Sequence, residues 1–135
     1  MFATLLYIEL DGQSGRCVMA NAGHLPPILK KADGSVVKLS PAGSAPLGIL
    51  PGMTFGQQSA LLGPGDTLVL YTDGIVEAMN DRDELYGYER FESLIAATAA
   101  DPETIKNAII EDVNRFTGLS PQHDDMTLVC FGALI

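Results

Sequence analysis

The order of apolar and polar positions predicts strands over the first half of the chain, followed by helices and a last strand. Short runs rich in β-branched and other large apolar side chains, separated by Gly, Asp or Pro turn signals, are typical of strands. These runs occupy positions 1–10, 16–21, 28–31, 35–39, 54–62, 67–71 and 126–131. A short helical pattern lies at 75–79, and longer ones lie at 88–99 and 101–118. This order predicts an α+β fold with one sheet, or two stacked sheets, carrying helices on one face.

Local signals also set the limits of some elements. Asp101 suits a helix N-cap, Pro102 the first helical position and Gly118 a C-terminal stop. Positions 40–53 are rich in Gly, Pro, Ser and Ala and predict an ordered surface loop. The part at 40–52 is a candidate for shaping substrate access, although a plain surface loop is the default interpretation.

Length, composition and charge narrow the class of protein. The chain has 135 residues, 47% of them apolar, which predicts one unit with a packed core. It has no apolar run long enough to cross a membrane and no signal-peptide pattern. Cys17 and Cys130 lie in separate strand-like segments, so we expect neither zinc nor a disulfide framework, and a reducing cytoplasm fits best. The net charge of −9 argues against nucleic acid as a partner.

Carboxylates next to two predicted strands are the candidate chemistry. Asp73 follows the run at 67–71, and Asp124 and Asp125 precede the last run. A carboxylate at the end of a buried strand is costly unless a positive group meets it, and carboxylate oxygens are ligands of Mg²⁺ and Mn²⁺. Such ions assist phosphoryl transfer by neutralising phosphate charge and lowering the pKa of bound water. Asp73 and Asp124 are therefore candidate metal ligands, and Asp125, which strand alternation turns away, is a candidate for a supporting or helix-capping role.

The same residues also have purely structural interpretations. Asp73 can cap the helix at 75–79, and Asp124 with Asp125 can form a turn. His24 is a candidate for a general acid with access to substrate, but its Gly-His-Leu-Pro-Pro loop also favours a hydrogen bond to backbone. His123 either supports Asp124 or is simply exposed. Spacing alone leaves these alternatives open.

Three motifs in a fixed order add a family resemblance. They are Asn21-Ala-Gly-His-Leu-Pro-Pro27, the segment 65–80 with Tyr71-Thr-Asp-Gly-Ile-Val-Glu-Ala78 at its centre, and His123-Asp-Asp-Met-Thr-Leu-Val129. Together they resemble the bacterial SpoIIE/RsbU-type phosphatases of the metal-dependent PPM (PP2C-like) serine/threonine class, over essentially the whole chain. The resemblance implies a PP2C-like β-sandwich with flanking helices and two Mn²⁺ or Mg²⁺ ions at one end of the sandwich. It also implies that water attacks the phosphoserine or phosphothreonine of a small regulatory partner, commonly a STAS-type anti-sigma-factor antagonist.

The resemblance assigns roles to particular positions. Asp73 matches the metal-ligand Asp of the Asp-Gly motif, and Asp124 matches the ligand Asp of the last motif, with Asp125 as its neighbour. Gly74 would let the backbone pass close to the metal cluster. The resemblance also implies signalling by partner switching and regulation of sigma factors in bacteria.

One expected element of the family pattern has no counterpart in this sequence. The family carries an Asp upstream of the strand that begins near Phe2, and that Asp bridges both metals. We therefore predict that residues 1–135 are a single partial phosphatase domain, incomplete at its N-terminal side, with weak Mn²⁺ binding and little activity alone. Its uncovered apolar face and strand edge predict self-association. Two other hypotheses are a non-catalytic PPM-like scaffold that binds a STAS or kinase partner, and an unrelated β-sandwich with capping aspartates.

Overall fold

The computed structural model describes residues 1–40 and 45–133, and these residues form seven strands and three helices. The strands are β1 (Leu5–Leu10), β2 (Arg16–Ala22), β3 (Ile28–Lys30), β4 (Val36–Lys38), β5 (Gln57–Leu61), β6 (Thr67–Tyr71) and β7 (Leu128–Gly132). The helices are α1 (Asp73–Val76), α2 (Tyr88–Ala97) and α3 (Pro102–Thr117). Part of the loop predicted at 40–53, positions 41–44, lies outside the described residues. None of the described helices has the length and apolar character that a membrane crossing requires.

The strands form two antiparallel sheets. The three-stranded sheet has the order β1-β2-β5, and the four-stranded sheet has the order β4-β3-β6-β7. In the second sheet β6 is central, with Val69 opposite Ile28 of β3 on one side and Cys130 of β7 on the other. The apolar run that forms β6 is therefore paired along both edges, as its near-continuous burial requires.

The inner faces of the two sheets pack against each other. Cys17 and Met19, alternate residues of β2, share one buried cluster with Leu29 of β3 and Leu68 of β6. Their spacing of two places both side chains on one face of the strand. Of the two arrangements that the sequence left open, two stacked sheets is therefore the correct one.

The other face of the four-stranded sheet is covered by the long helices. Val69 and Tyr71 of β6 share a buried cluster with Phe91 of α2 and Ile109 of α3. The rings of Tyr71 and Phe91 lie with their centroids 4.4 Å apart, a distance typical of favourable aromatic pairs. The molecule is thus an α+β sandwich with helices on one side, as the sequence predicts.

The predicted limits of α3 are confirmed. The Asp101 carboxylate accepts hydrogen bonds from the Thr104 backbone N–H at 2.9 Å and from its hydroxyl at 2.6 Å. Pro102 is the first helical residue, and Gly118 ends the helix with a φ of 58°. These positions could be predicted because helix capping depends on residues close together in sequence.

Two predicted boundaries near the candidate site are wrong. The helix predicted at 75–79 is the single turn Asp73–Val76, because the Val76 and Ala78 carbonyls accept bonds from the N–H groups of Gly87 and Tyr86 instead of continuing the helix. The last strand starts at Leu128 instead of at 126. Asp124 therefore lies in an irregular segment before β7, not directly at the strand end.

The outer face of the three-stranded sheet carries exposed apolar side chains that no layer covers among the described residues. Leu5 and Tyr7 of β1 and Leu61 of β5 are exposed, and β1 and β5 are the two edges of that sheet. Before β1, Ala3 pairs with Leu47 through two backbone hydrogen bonds, so the regular strand is shorter than the 1–10 run predicts. Self-association through this face stays a prediction.

Candidate metal centre

Thr72 connects the end of β6 to the segment that carries Asp124 and Asp125. Its backbone N–H donates to the Thr127 carbonyl at 3.1 Å, and its hydroxyl accepts from the Thr127 N–H at 2.9 Å. The hydroxyl also donates to the Asp125 carbonyl at 3.4 Å. Because Thr72 directly precedes α1, these bonds hold the 125–127 segment against the start of the helix.

Gly74 allows this close approach. A Cβ at position 74 would overlap the Asp125 carbonyl oxygen and crowd the peptide that follows it. Gly74 is buried inside α1, so glycine is required here for space and not for an unusual φ. The role that the resemblance gave it, letting backbone pass near the site, agrees with this contact.

Three carboxylates meet at this end of the sandwich. Asp73, Glu77 and Asp124 each offer one oxygen, and these oxygens lie within 4.8 Å of one another. Asp73 and Glu77 are four positions apart around the turn of α1, where the Glu77 N–H donates to the Asp73 carbonyl at 2.8 Å. This spacing puts both side chains on one face.

The structure thus brings the two candidate ligands that the sequence predicts, Asp73 and Asp124, together with a third carboxylate. Glu77 was not named as a candidate from the sequence, although it stands inside the Tyr71–Ala78 motif. The available signal was its position four residues after Asp73, on a stretch already predicted to be helical.

The electrostatics of the three carboxylates fit a divalent cation. None of the ion pairs found within residues 1–40 and 45–133 involves them. All three side chains are exposed, so water and an ion can reach them. Three carboxylate oxygens without a protein cation match the hard oxygen ligands of Mg²⁺ and Mn²⁺.

The structure bears differently on the two structural interpretations of these aspartates, a helix cap by Asp73 and a turn at Asp124 and Asp125. The N-cap of α1 is Thr72, and Asp73 lies in the first turn without capping the helix through its side chain. One Asp124 oxygen accepts from the Asp125 N–H at 2.8 Å, and the backbone bends at Asp124 without forming a hydrogen-bonded turn. This local bond and the carboxylate cluster are compatible because a carboxylate has a second oxygen and further lone pairs. The Asp125 backbone carbonyl accepts a hydrogen bond from the Thr72 hydroxyl, and the Asp125 carboxylate does not belong to the cluster of three carboxylates.

The two histidines lie in different places. The His24 backbone is held by the Asn21 side chain, which accepts from the His24 N–H at 2.7 Å and donates to its carbonyl at 2.8 Å. Its ring Nδ1 lies 3.1 Å from the Leu25 carbonyl, and the ring lines a separate cavity beside Tyr71. His123 is exposed and lines the cavity that adjoins the carboxylates. The backbone-bonded alternative thus describes His24 in this structure.

The carboxylates of the site also affect the pKa of the nearby Tyr88. It begins α2, one residue after Gly87, whose N–H donates to the Val76 carbonyl at 2.8 Å. Burial, followed by the nearby carboxylates of Glu77 and Asp73, raises the pKa of the Tyr88 phenol. A bound cation would oppose this carboxylate effect.

A β-sandwich with helices and an acidic cluster at one end is the architecture of PP2C-type phosphatase domains. The SpoIIE (Stage II sporulation protein E) family model matches residues 1–133. The chain therefore belongs to the SpoIIE family.

Relatives and solved structures agree with this membership. Protein IcfG of Synechocystis is 31% identical over 129 residues, covering 96% of this chain and 20% of that protein. Phosphoserine phosphatase RsbP of Bacillus subtilis is 34% identical over 76 residues, covering 56% of this chain and 19% of its own length. The chain thus spans about a fifth of each of these relatives.

Among solved structures, the RsbU and RsbW domains of a Mycobacterium tuberculosis protein superpose with a TM-score of 0.78 at 32% identity, covering 97% of this chain and 36% of that one. The phosphatase domain of SpoIIE from Bacillus subtilis, presoaked with Mn, superposes with a TM-score of 0.71 at 27% identity, covering 98% of this chain and 57% of that one.

Proposed function

We propose that this chain forms part of the catalytic site of a Mn²⁺- or Mg²⁺-dependent serine/threonine protein phosphatase. The observation that carries the proposal is the meeting of Asp73, Glu77 and Asp124 within 4.8 Å, from two segments that are distant in sequence. The structural alternatives, a helix cap by Asp73 or a local turn at Asp124, would not require the three carboxylates to lie together. Three like charges held together cost free energy unless a cation joins them.

Each residue has a defined part in this function. Asp73, Glu77 and Asp124 would hold the ion, Thr72 fixes the segment that bears Asp124, and Gly74 leaves room for it. The bound ion would neutralise phosphate charge and lower the pKa of water near it. Asp125 supports the arrangement through its backbone, and His24 stays a candidate for a role in substrate access.

The substrate proposed from the resemblance is phosphoserine or phosphothreonine on a STAS-type regulatory protein, in bacterial control of sigma factors. The name of the relative RsbP, a phosphoserine phosphatase, supports the substrate class. From the cysteine pattern of the sequence we also propose the cytoplasm as the compartment.

The number of carboxylates bears on the Mn²⁺ affinity and the hydrolysis rate that we expect of this chain alone. Three carboxylates are enough to hold one ion together with water, whereas the resemblance implies two ions that share a further Asp. We therefore propose that residues 1–135 are a partial domain that binds Mn²⁺ weakly and hydrolyses phosphoserine slowly without an added N-terminal segment. A scaffold that binds a STAS or kinase partner would not need a gathered set of ligands, so the enzyme is the better hypothesis.

The test is a Mn²⁺ titration of this chain beside a polypeptide extended at the N-terminus, with phosphoserine-peptide hydrolysis as the second readout. We expect weak binding and slow turnover by the chain, and at least a hundredfold faster turnover by the extended form. Asp73→Asn, Glu77→Gln and Asp124→Asn should each weaken Mn²⁺ binding, whereas Asp81→Asn, an exposed acid in the loop after α1, should not. Equal Mn²⁺ binding by all four variants would overturn the proposal.

A further inference from the structure

A cavity of about 610 Å³ opens beside the carboxylates. Glu77 and Asp124 belong both to the acidic cluster and to the lining of the cavity. The rest of the lining comes from Gly74 of α1, the segment after α1, the C-terminal end of α3 and the segment 120–126. Its volume lies within the range of pockets that bind ligands, and it is continuous with the candidate metal centre.

The lining combines apolar side chains with uncharged polar ones. Met79, Leu85 and Met126 supply apolar surface, while Asn114 and Thr117 supply hydrogen-bonding groups from α3. Leu85 is 52% exposed, although an antiparallel bridge to Met79 fixes its backbone. Leu85 and Met79 therefore place apolar surface at a fixed position on the wall of the cavity.

We propose that this cavity is the groove that holds the polypeptide next to the phosphorylated residue of the substrate, with Leu85 contacting an apolar substrate side chain and Asn114 contacting the substrate backbone. The inference rests on the proposed phosphatase function, because it places the phosphate at the carboxylate cluster and the flanking residues in the groove.

The chemistry of the lining favours a peptide over other phosphorylated ligands. Among the residues that the structure describes, the lining has no lysine or arginine to receive a second phosphate, and His123 is its one aromatic ring on which a nucleotide base could stack. Glu77 and Asp124 would be paired with the ion, but the net charge of −9 leaves the chain negative even with one divalent ion bound, and this charge would repel acidic substrate residues. The groove therefore selects a segment with apolar or basic residues next to the phosphoserine and rejects one with acidic residues there.

Direct binding tests this inference independently of catalysis. A fluorescein-labelled peptide of about twelve residues, with a central phosphoserine flanked by leucine and lysine, is titrated with the full chain in Mn²⁺ buffer and followed by anisotropy. Leu85→Glu and Asn114→Ala should each weaken binding at least fivefold. Leu50→Glu, which changes a leucine of similar exposure (64%) that does not line the cavity, should leave binding unchanged. A peptide with aspartates in place of leucine and lysine should bind at least tenfold more weakly.

The outcomes separate this inference from the proposed function. In the ¹⁵N-labelled chain, the backbone signals of Leu85, Asn114 and Thr117 should shift on addition of the peptide. If the peptide binds there but even the N-terminally extended form releases no phosphate, the result supports the peptide-binding groove and contradicts the proposed phosphatase function. If the extended form hydrolyses an aryl phosphate while Leu85→Glu binds the peptide like the unchanged chain, the result supports the phosphatase function and overturns the proposed groove. Absence of peptide binding, or shifts confined to other surfaces, would also overturn the groove.

Discussion

Thr72 and Thr127 are joined by two reciprocal hydrogen bonds, one from the Thr72 N–H to the Thr127 carbonyl at 3.1 Å and one from the Thr127 N–H to the Thr72 hydroxyl at 2.9 Å. The second bond replaces a backbone ladder bond with a side-chain bond, which is why regular strand pairing begins only at Leu128, opposite Tyr71. The pair sets the position of Asp124 relative to Asp73. The geometry of the candidate metal centre therefore depends on a hydroxyl that does not belong to the three gathered carboxylates.

Thr72→Val should weaken metal binding without unfolding the protein. Valine has nearly the shape of threonine but cannot accept the Thr127 N–H, so the segment that carries Asp124 would be less well fixed. Loss of a group that orients ligands typically lowers metal affinity about tenfold or more. Electron paramagnetic resonance of free Mn²⁺ would measure the change, and Thr72→Ser, which keeps the hydroxyl, should retain most of the affinity. Equal affinity for valine and threonine at this position would disprove the orienting role.

Gly74→Ala should destabilise the fold although alanine favours helices. The added Cβ would overlap the Asp125 carbonyl, so the backbone of one segment must move. We expect a loss of about 1–3 kcal/mol in the free energy of unfolding, as for other overpacked sites. Gly12→Ala is the matched control, because a Cβ there meets nothing within 4 Å, and its change should stay within about 0.5 kcal/mol. Urea denaturation of both variants makes the comparison, and an unchanged midpoint for Gly74→Ala would contradict it.

The sequence was most informative where the deciding contacts are local. Asp101, Pro102 and Gly118 define α3 through interactions within a few residues, and all three could be assigned in advance. The end of α1 depends instead on Tyr86 and Gly87, which return to bond the carbonyls of Ala78 and Val76. No periodicity carries that information, so the predicted 75–79 helix was wrong.

The candidate site shows the same division between local and distant information. Asp73 and Asp124 were predicted because each stands near the end of an apolar run and within a family motif. Their approach to each other depends on Thr72 bonding a segment more than fifty residues away, which no local pattern contains. Glu77 could have been predicted from its helical spacing after Asp73, since that signal is local.

Self-association should occur through the outer face of the three-stranded sheet. Leu5, Tyr7 and Leu61 are exposed on that sheet, and its edge strands β1 and β5 offer unpaired backbone groups. Sedimentation of the chain across a hundredfold concentration range should show an increasing mass, and Tyr7→Lys should reduce it. A mass independent of concentration would rule this interface out.

Asp112 should make stability depend on pH in the acid range. The Arg90 guanidinium donates to both Asp112 oxygens at 2.9 Å, and the Tyr86 hydroxyl donates to one at 2.6 Å. The Arg90 contact, followed in size by the opposing effect of burial and then by the Tyr86 bond, leaves the pKa of Asp112 lowered from 3.8 to about 2. A carboxyl whose pKa is lower in the folded state stabilises the fold above its unfolded pKa and loses this contribution as the pH falls towards the folded value.

The measurement compares the unchanged chain with Asp112→Asn by urea denaturation at several pH values. Because Arg90 is partly exposed, we expect a difference of about 1–2 kcal/mol at pH 7. This difference should shrink between pH 4 and pH 2. Glu111→Gln, an exposed neighbour on α3, should change stability by less than about 0.5 kcal/mol throughout. A difference for Asp112→Asn that persists unchanged at pH 2 would refute the assigned ion pair.

Two buried tyrosines should respond in opposite ways to loss of their hydroxyl groups. Tyr71 is 2% exposed, and its hydroxyl has no hydrogen-bond partner in the part of the chain that the structure describes. Burial, with smaller contributions from Tyr88 and Glu92, raises its pKa to about 12, so the group is neutral at physiological pH. A buried hydroxyl without a partner costs about 1–3 kcal/mol, so Tyr71→Phe should leave stability unchanged or raise it by about 1 kcal/mol.

Tyr86→Phe is the matched comparison, because it removes the same atom from a tyrosine whose hydroxyl donates to Asp112 at 2.6 Å. That bond ends on a carboxylate, and its loss should lower the free energy of unfolding by about 1.5–3 kcal/mol. The midpoint temperature of thermal unfolding should therefore fall for Tyr86→Phe and should stay unchanged or rise for Tyr71→Phe. Equal losses in both would show that the Tyr71 hydroxyl has a partner, and Glu92, whose charge contributes to the raised pKa of Tyr71, would be the first residue to substitute in search of it.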